Sequence, residues 1–190
     1  MKKEFWKAGN MLYPLPAVMV SCKREDEKPN IITVAWTGTV CTNPAMVYIS
    51  VRPGRYSYDI IKESGEFVIN LTTKQLIKAV DYCGVKSGRD IDKFHEMNLT
   101  AISANFVKAP LILESPVNIE CKVKQIIELG SHDMFIADVL GVHVNPEYMN
   151  AKGKFDLSKA EPIVYSHGEY YGLGDLMGTF GYSVRKNKPV

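Results

Sequence analysis

The chain has 190 residues, 46% of them hydrophobic and 23% charged, a balance that implies one soluble globular domain with room for a full core. A net charge of +2 with no dense basic cluster argues against a nucleic-acid partner, because displacing counterions requires such a cluster. No apolar run reaches the ~18 residues of a membrane span, and none of the four cysteines stands in a C-x-x-C pair fit for structural zinc or an iron–sulfur cluster.

From the N-terminus, two lysines precede an apolar stretch from Met11 to Val20 that runs into Ser21-Cys22, the outline of a lipoprotein signal. Gly9-Asn10 and Pro14-Leu15-Pro16 would break its helical segment, so Ala17 to Val20 reads as a strand instead. The segments Ala17–Cys22 and Ile31–Trp36 form a first hairpin around a mixed-sign tip, Lys23 to Lys28. Next come a strand opening at Trp36, a turn at Asn43-Pro44, and the β-rich run Met46 to Val51. Arg52 and Arg55 frame a Pro53-Gly54 turn; Ser57 stands as the N-cap of a short helix that Gly65 closes.

Glu66 to Leu71 is a further strand. Thr73 would cap a helix from Lys74 to Cys83, with Leu76, Ile77 and Val80 on one face and Gly84 as its stop. Asp90 to Met97 reads as one or two helical turns. Val117–Leu129 alternates well (Val117, Ile119, Cys121, Val123), turns at Gly130 to Asp133, and returns as Met134–Val144. No repeat, linker or composition shift divides the chain, so residues 1–190 are expected to form one domain. The scattered cysteines read as reduced thiols, which favours a cytoplasmic setting.

Many antiparallel strands with few helices argue for a closed or partly closed barrel rather than a doubly wound sheet. The one Gly-x-Gly, Gly172-Leu173-Gly174, has Gly178 and Gly181 behind it and too little chain beyond for a βαβ unit. It reads as a glycine-rich C-terminal packing segment rather than a dinucleotide fingerprint.

Two places carry anion-binding chemistry. At the strand-to-helix junction Ser50-Val51-Arg52 … Arg55-Tyr56-Ser57, cations and hydroxyls meet helix-start N–H groups, which a phosphate favours. The second is Cys83 to Phe94, where Ser87, Gly88, Arg89 and Lys93 share one loop, and Lys93 lies one helical turn beyond Arg89. Read blandly, the arginines are solvated charges on a turn, and the loop is a surface segment whose cations pair with Asp90 and Asp92.

The order Trp36-Thr37-Gly38 … Asn43-Pro44 … Ser50-Val51-Arg52 … Arg55-Tyr56-Ser57 … Gly65-Glu66-Phe67-Val68-Ile69-Asn70 resembles the flavin reductase-like, FMN-binding split-barrel family. The loop Cys83-Gly84 … Ser87-Gly88-Arg89-Asp90 … Asp92-Lys93-Phe94 and the ending Tyr170-Tyr171-Gly172-Leu173-Gly174 … Gly178 to Ser183 resemble its flavoredoxin branch. The likeness runs from about Pro14 to Ser183. Ala45 departs from it, standing where the family often has a second proline.

That resemblance implies a mainly β, antiparallel Greek-key split barrel with short helical insertions. It also implies a homodimer with one non-covalently held FMN near each interface. By the resemblance, the flavin contacts include Asn30, Trp36, Ser57, Lys93, His132 and Tyr165. Thr37, Gly38 and Thr39 would run beside the ring, and Ser50, Val51, Arg52 and Tyr56 would approach the phosphate and ribityl chain, with Ser87 and Gly88 in the second loop.

Physical chemistry fits these assignments. A reduced flavin is negative near N1 and O2, so donors and cations there favour it. Gly38 would let backbone reach the ring edge. Trp36 serves either as ring neighbour or as core, and His132 is either a solvated turn residue or the group that manages protons beside the ring. No protein nucleophile is required. The implied function is electron transfer through bound FMN, fed by NADH, NADPH or a redox-protein partner. The alternative is an NAD(P)H-dependent flavin or ferric reductase using FMN as an exchangeable substrate. A barrel that binds FMN without redox duty is a third possibility. Cys41 and Cys83 lie near the proposed loops as either reactive thiols or packing.

Overall fold

The computed structural model describes residues 1–185. In chain order the elements are β1 (Leu15–Pro16), β2 (Val18–Cys22), β3 (Asn30–Val34), β4 (Thr37–Cys41), β5 (Met46–Val51), α1 (Tyr56–Ser64) and β6 (Glu66–Leu71). There follow α2 (Ile77–Val85), α3 (Lys93–Glu96), β7 (Ala101–Ile102), β8 (Leu111–Ile112), β9 (Val117–Glu128), β10 (Asp133–Val144), β11 (Ile163–Ser166) and β12 (Glu169–Gly172).

Seven strands form one antiparallel sheet in the order β3-β2-β6-β9-β10-β5-β4. Its two edge strands, β3 and β4, are consecutive in the chain and joined only by Ala35 and Trp36. A sheet whose margins are tied by two residues has to curl on itself, and the result is a split barrel with its seam at Trp36. The backbone N–H of Ser50 on β5 donates to the Trp36 carbonyl at 2.8 Å and fixes that seam. A small second sheet, β1-β11-β12, covers its neighbourhood.

Alternation along the strands sorts the side chains into two cores. Val18, Val20 and Cys22 of β2, Ile32 and Val34 of β3, Phe67 and Ile69 of β6, and Phe135 and Ala137 of β10 fill the barrel, closed at one end by Ile60 and Ile61 of α1. The opposite faces of β2 and β3 supply Met19 and Ile31 to an outer layer with Leu76, Val80, Cys83 and Phe94. Buried on both faces, this hairpin reads as continuous apolar sequence. On β9, Ile119, Cys121 and Val123 point inward, and so does Ile126. The irregularity between the Ala137↔Val123 and Ile136↔Gln125 pairs inserts Lys124 and explains the change of phase. Glu120 faces the other way and is fully buried; its carboxylate accepts the N–H groups of Asn105, Phe106 and Val107 (3.0, 2.6 and 3.1 Å) and lies 2.6 Å from His143 Nε2.

Both long hairpins and β6 fall where the sequence places them, whereas the helix boundaries differ. Arg55, not Ser57, occupies the N-cap of α1, and it gives no side-chain cap. Ser57 lies inside the first turn because its hydroxyl is taken by the Asn30 amide. Gly65 does close α1, in the left-handed conformation (φ 69°). Thr73 precedes a 3₁₀ turn (Lys74–Leu76) without capping it, and α2 runs through Gly84 to Val85 rather than stopping there. A Cβ at Gly84 would sit 3.3 Å from Thr33 Cβ, so this glycine serves helix-to-strand contact, not termination. Only Lys93–Glu96 of the stretch 90–97 is helical, capped by Asp92 accepting the His95 N–H at 3.2 Å. The glycine-rich stretch from Leu173 leaves its large apolar side chains unburied: Leu173, Leu176, Met177 and Phe180 are exposed.

Candidate functional site

Two neighbouring cavities open at the seam. The larger, of about 420 Å³, is lined by Trp36, Ser50, Val51, Arg52, His132 and Tyr165, with Tyr170 and Asp81 at its side. The smaller, of about 210 Å³, is lined by Asn30, Tyr56, Ser57, Ser87, Gly88 and Lys93, with Gly54, Lys86 and Arg89. Ile32 and Arg55 belong to both walls. Together they have the size and composition of a cofactor site: one aromatic compartment and one cationic one.

The aromatic compartment is built from residues far apart in sequence. Trp36 lies parallel to His132 (4° between planes, centroids 5.9 Å apart) and tilted against Tyr165 (51°, 6.4 Å). Tyr165 in turn meets Tyr170 edge-on at 5.8 Å. Arg52 Nε–H donates to His132 Nε2 at 3.4 Å, which leaves Nδ1 to carry the proton and donate to Ser131 Oγ at 2.9 Å. Partial burial, reinforced by the Arg52 charge and opposed by Asp133, holds the His132 pKa below the usual histidine value. At neutral pH it is therefore an uncharged imidazole.

The cationic compartment is tightly interlocked. Asn30 Nδ2–H donates to Ser57 Oγ at 2.8 Å, and its Oδ1 fills the space where a side chain on Gly88 would begin. Gly88 is thus required by close approach. Lys93, only 3% exposed, spends two of its protons on the carbonyls of Ile31 (2.6 Å) and Cys83 (2.9 Å). Burial, with the Arg55 charge adding to it, pushes its pKa down to about 8. Arg55 is braced by the Gly84 carbonyl, and Arg89 lies 5.7 Å over the Tyr56 ring. The α1 N-terminus, lacking a side-chain cap, presents its first N–H groups beside Gly54, Arg55, Tyr56 and Ser57 of the cavity wall.

Of the fifteen residues assigned to the flavin by the resemblance, six line the first cavity and six the second. Thr37, Gly38 and Thr39 line neither. Thr37 donates its hydroxyl to the Tyr48 carbonyl at 2.7 Å, Thr39 is exposed, and a Cβ on Gly38 would lie 3.0 Å from the Tyr48 ring. Gly38 therefore makes room for a neighbouring tyrosine. Lys93 does not stand in register with Arg89 on one helix, because α3 begins at Lys93 itself. Asp81 and Tyr170, whose hydroxyl reaches Asp81 Oδ1 at 3.4 Å, were not readable as site residues; nothing local marks a contact across 89 positions. All four cysteines are free; burial pushes the Cys22 thiol to about 12 and the Cys83 thiol to about 11.

The family model described as flavin reductase like domain matches residues 10–174. The chain belongs to the flavin reductase-like family. It is 32% identical over 152 residues to an uncharacterised protein of Archaeoglobus fulgidus, a match covering 80% of this chain and 85% of that one. Among solved structures it superposes on the flavoredoxin of Desulfovibrio vulgaris (Miyazaki F) with a TM-score of 0.90, at 32% identity, covering 97% of this chain and all of the other. A flavoredoxin from Methanosarcina acetivorans gives a TM-score of 0.89 at 25% identity, covering 96% and 97%. The split barrel is thus the fold of these flavin reductase-like proteins, and a flavin is the family's cofactor.

The two cavities fit such a group on their own chemistry. A flat ring system has an aromatic compartment with a cation, and an anionic tail has an uncapped helix start, Arg55, and a buried ammonium with no carboxylate among its partners. Among the described residues no helix is long and apolar enough to cross a membrane.

Proposed function

We propose that this protein is an electron-transfer flavoprotein of the flavoredoxin type, with FMN held non-covalently across the two cavities. The observation that carries this reading is the shared wall: an aromatic pocket and a cation-lined helix start meet at Arg55 and Ile32, as a ring joined to a phosphate by a short polyol would need. FMN, when bound, supplies the capacity to accept a hydride or electron pair and to pass electrons on singly or in pairs.

The chain's own residues bind, orient and tune. Arg55, Ser57, Ser87 and Lys93 would hold the phosphate, with Gly88 making room in the same wall for the Asn30 side chain. Trp36, His132 and Tyr165 would border the ring, with Ser50, Val51, Arg52 and Tyr56 along the path between. Arg52, at the ring end of that path, would bring positive charge that favours the negatively charged reduced ring, and the neutral His132 imidazole accepts its Nε–H. No step calls for a protein nucleophile.

The working unit in this reading is a homodimer. Phe5, Trp6 and Leu12 at one end, and Leu176, Met177 and Phe180 at the other, are exposed, an apolar load suited to a second copy of the chain. Four free cysteines fit a reducing cytoplasm.

The test is an anaerobic absorbance spectrum of purified protein supplied with FMN, then NADH, NADPH and dithionite in turn. A flavin band that bleaches only with dithionite is expected of a carrier reduced by a protein partner. Prompt bleaching by either nicotinamide would make the protein a reductase, and no retained flavin band would refute the reading. Light scattering on the same sample should give twice the 21.3 kDa chain mass.

A further inference from the structure

Lys93 is an ammonium group almost wholly inside the protein, and its two observed partners are neutral backbone carbonyls. Buried charges are ordinarily paired, and a cation left without an anion favours its neutral form. The groups facing it supply no counter-charge. Cys83 on α2 and Cys22 on β2 are thiols held uncharged far above neutral pH, and Arg55, ahead of α1, is itself a cation. Ser57 of α1 and Asn30 of β3 are neutral, and the nearby carboxylate, Asp92, is turned to Lys28 and to the His95 N–H. The remaining side of Lys93 is the wall of the small cavity, beside the α1 N-terminus.

We infer that the phosphate of a bound flavin is the missing counter-ion of Lys93, so that loading the cofactor drives a proton from solvent onto this amine. This rests on the FMN reading above and adds to it a coupling between cofactor retention and pH. With the empty-site pKa near 8, uptake should be about half a proton per FMN at pH 8 and approach one at pH 9. FMN affinity should fall about fivefold between pH 8 and pH 9, and the slope should approach tenfold per pH unit above that. The ligand-free protein should respond in the opposite sense. Above pH ~8 and up to the ~10.4 of a free lysine, the unfolded chain binds a proton that the folded one lacks, so stability rises with pH.

Isothermal titration calorimetry of the full chain at pH 8 and pH 9, in two buffers of different ionisation enthalpy, reads the proton count directly. Riboflavin, with the same ring and no phosphate, controls for ionisation of the ring. The expected result is proton uptake with FMN and none with riboflavin. Lys93→Arg, always protonated, should bind FMN with no uptake and with a flat pH profile. FMN binding by the unaltered protein with the same proton count as riboflavin would overturn the coupling and leave the flavin assignment standing. Failure to bind FMN at any pH would overturn both. Should Lys93→Arg fold poorly, the two-buffer comparison on the unaltered protein decides alone.

Discussion

The small cavity is interlocked, whereas the aromatic one is a set of half-exposed rings leaning on one another. Around the small cavity, Asn30, Ser57, Gly88 and Lys93 are fixed by contacts between four separate elements, and little can move without displacing a neighbour. Around the large cavity, Trp36, His132 and Tyr165 meet at centroid distances of 5.9 and 6.4 Å, and the Arg52–His132 bond is long at 3.4 Å. The difference separates two tasks. Rigid, buried donors set where a charged tail sits and how tightly it is held. Half-exposed rings and a peripheral cation leave the reacting end reachable and set its electronics.

The sharpest way to break this contrast is Gly88→Ala. The new Cβ would overlap the Asn30 side chain, and overpacking of this kind costs about 1–3 kcal/mol. FMN affinity, followed by quenching of flavin fluorescence, should weaken roughly 10- to 100-fold; an unchanged affinity would mean the small cavity is not rigid.

Glu120→Gln serves as the control outside both cavities. Burial alone would raise the Glu120 carboxyl, but His143 and the backbone donors outweigh it and hold it below the usual glutamate range. Its contribution to stability is thus fully present above the ordinary pKa, ~4.3, and lost as pH falls through the lower folded value. The substitution should cost about 2 kcal/mol at pH 7, a penalty that shrinks in thermal melts as pH is taken below the ordinary carboxylate range, with FMN affinity within twofold of the parent. A large loss of FMN binding would instead tie Glu120 to the site.

Effects in the aromatic cavity should be smaller. Trp36→Ala should weaken FMN by about 1 kcal/mol, close to fivefold, through lost ring contact; a hundredfold loss would show that the ring compartment, not the small cavity, governs affinity. Arg52→Gln should leave affinity nearly unchanged and make the two-electron potential about 20 mV more negative, equivalent to roughly 1 kcal/mol of lost charge stabilisation. A potentiometric titration reads this, and an unchanged or more positive value would remove Arg52 from its tuning role.

What was legible in the sequence was local. β6 matches its expected span residue for residue, and the β9–β10 hairpin closes where Gly130 to Asp133 announce it, because period-two alternation and turn residues act over a few positions. Ser57 and Gly84 look like helix punctuation, yet each is claimed by a strand residue, Asn30 and Thr33, that only folding brings near. Lys93 was marked for its loop, but a lysine reads as solvated until Ile31 and Cys83 are seen to surround it. Gly38 was legible as a point of close approach; what approaches is Tyr48. The tail from Leu173 looked like packing material because its glycines and apolar residues have that composition, yet its large side chains Leu173, Leu176, Met177 and Phe180 are exposed.

The two-residue tie between β3 and β4 also bears on the order of assembly. Local pairings such as β9–β10 and β4–β5 can form early, but the sheet margins meet only after β6 has found β9 and β10 has found β5, strands separated by some of the longest loops in the chain. Closing such loops is slow, in the millisecond-to-second range typical of non-local β topologies. The seam at Trp36, and with it the site, should be among the last parts of the molecule to become ordered. In a refolding experiment, FMN added from the start would then be captured after the main folding phase and leave that phase no faster. The cofactor would act as a late latch on a barrel already wound, reinforcing the seam that Ala35, Trp36 and the Ser50 N–H already tie.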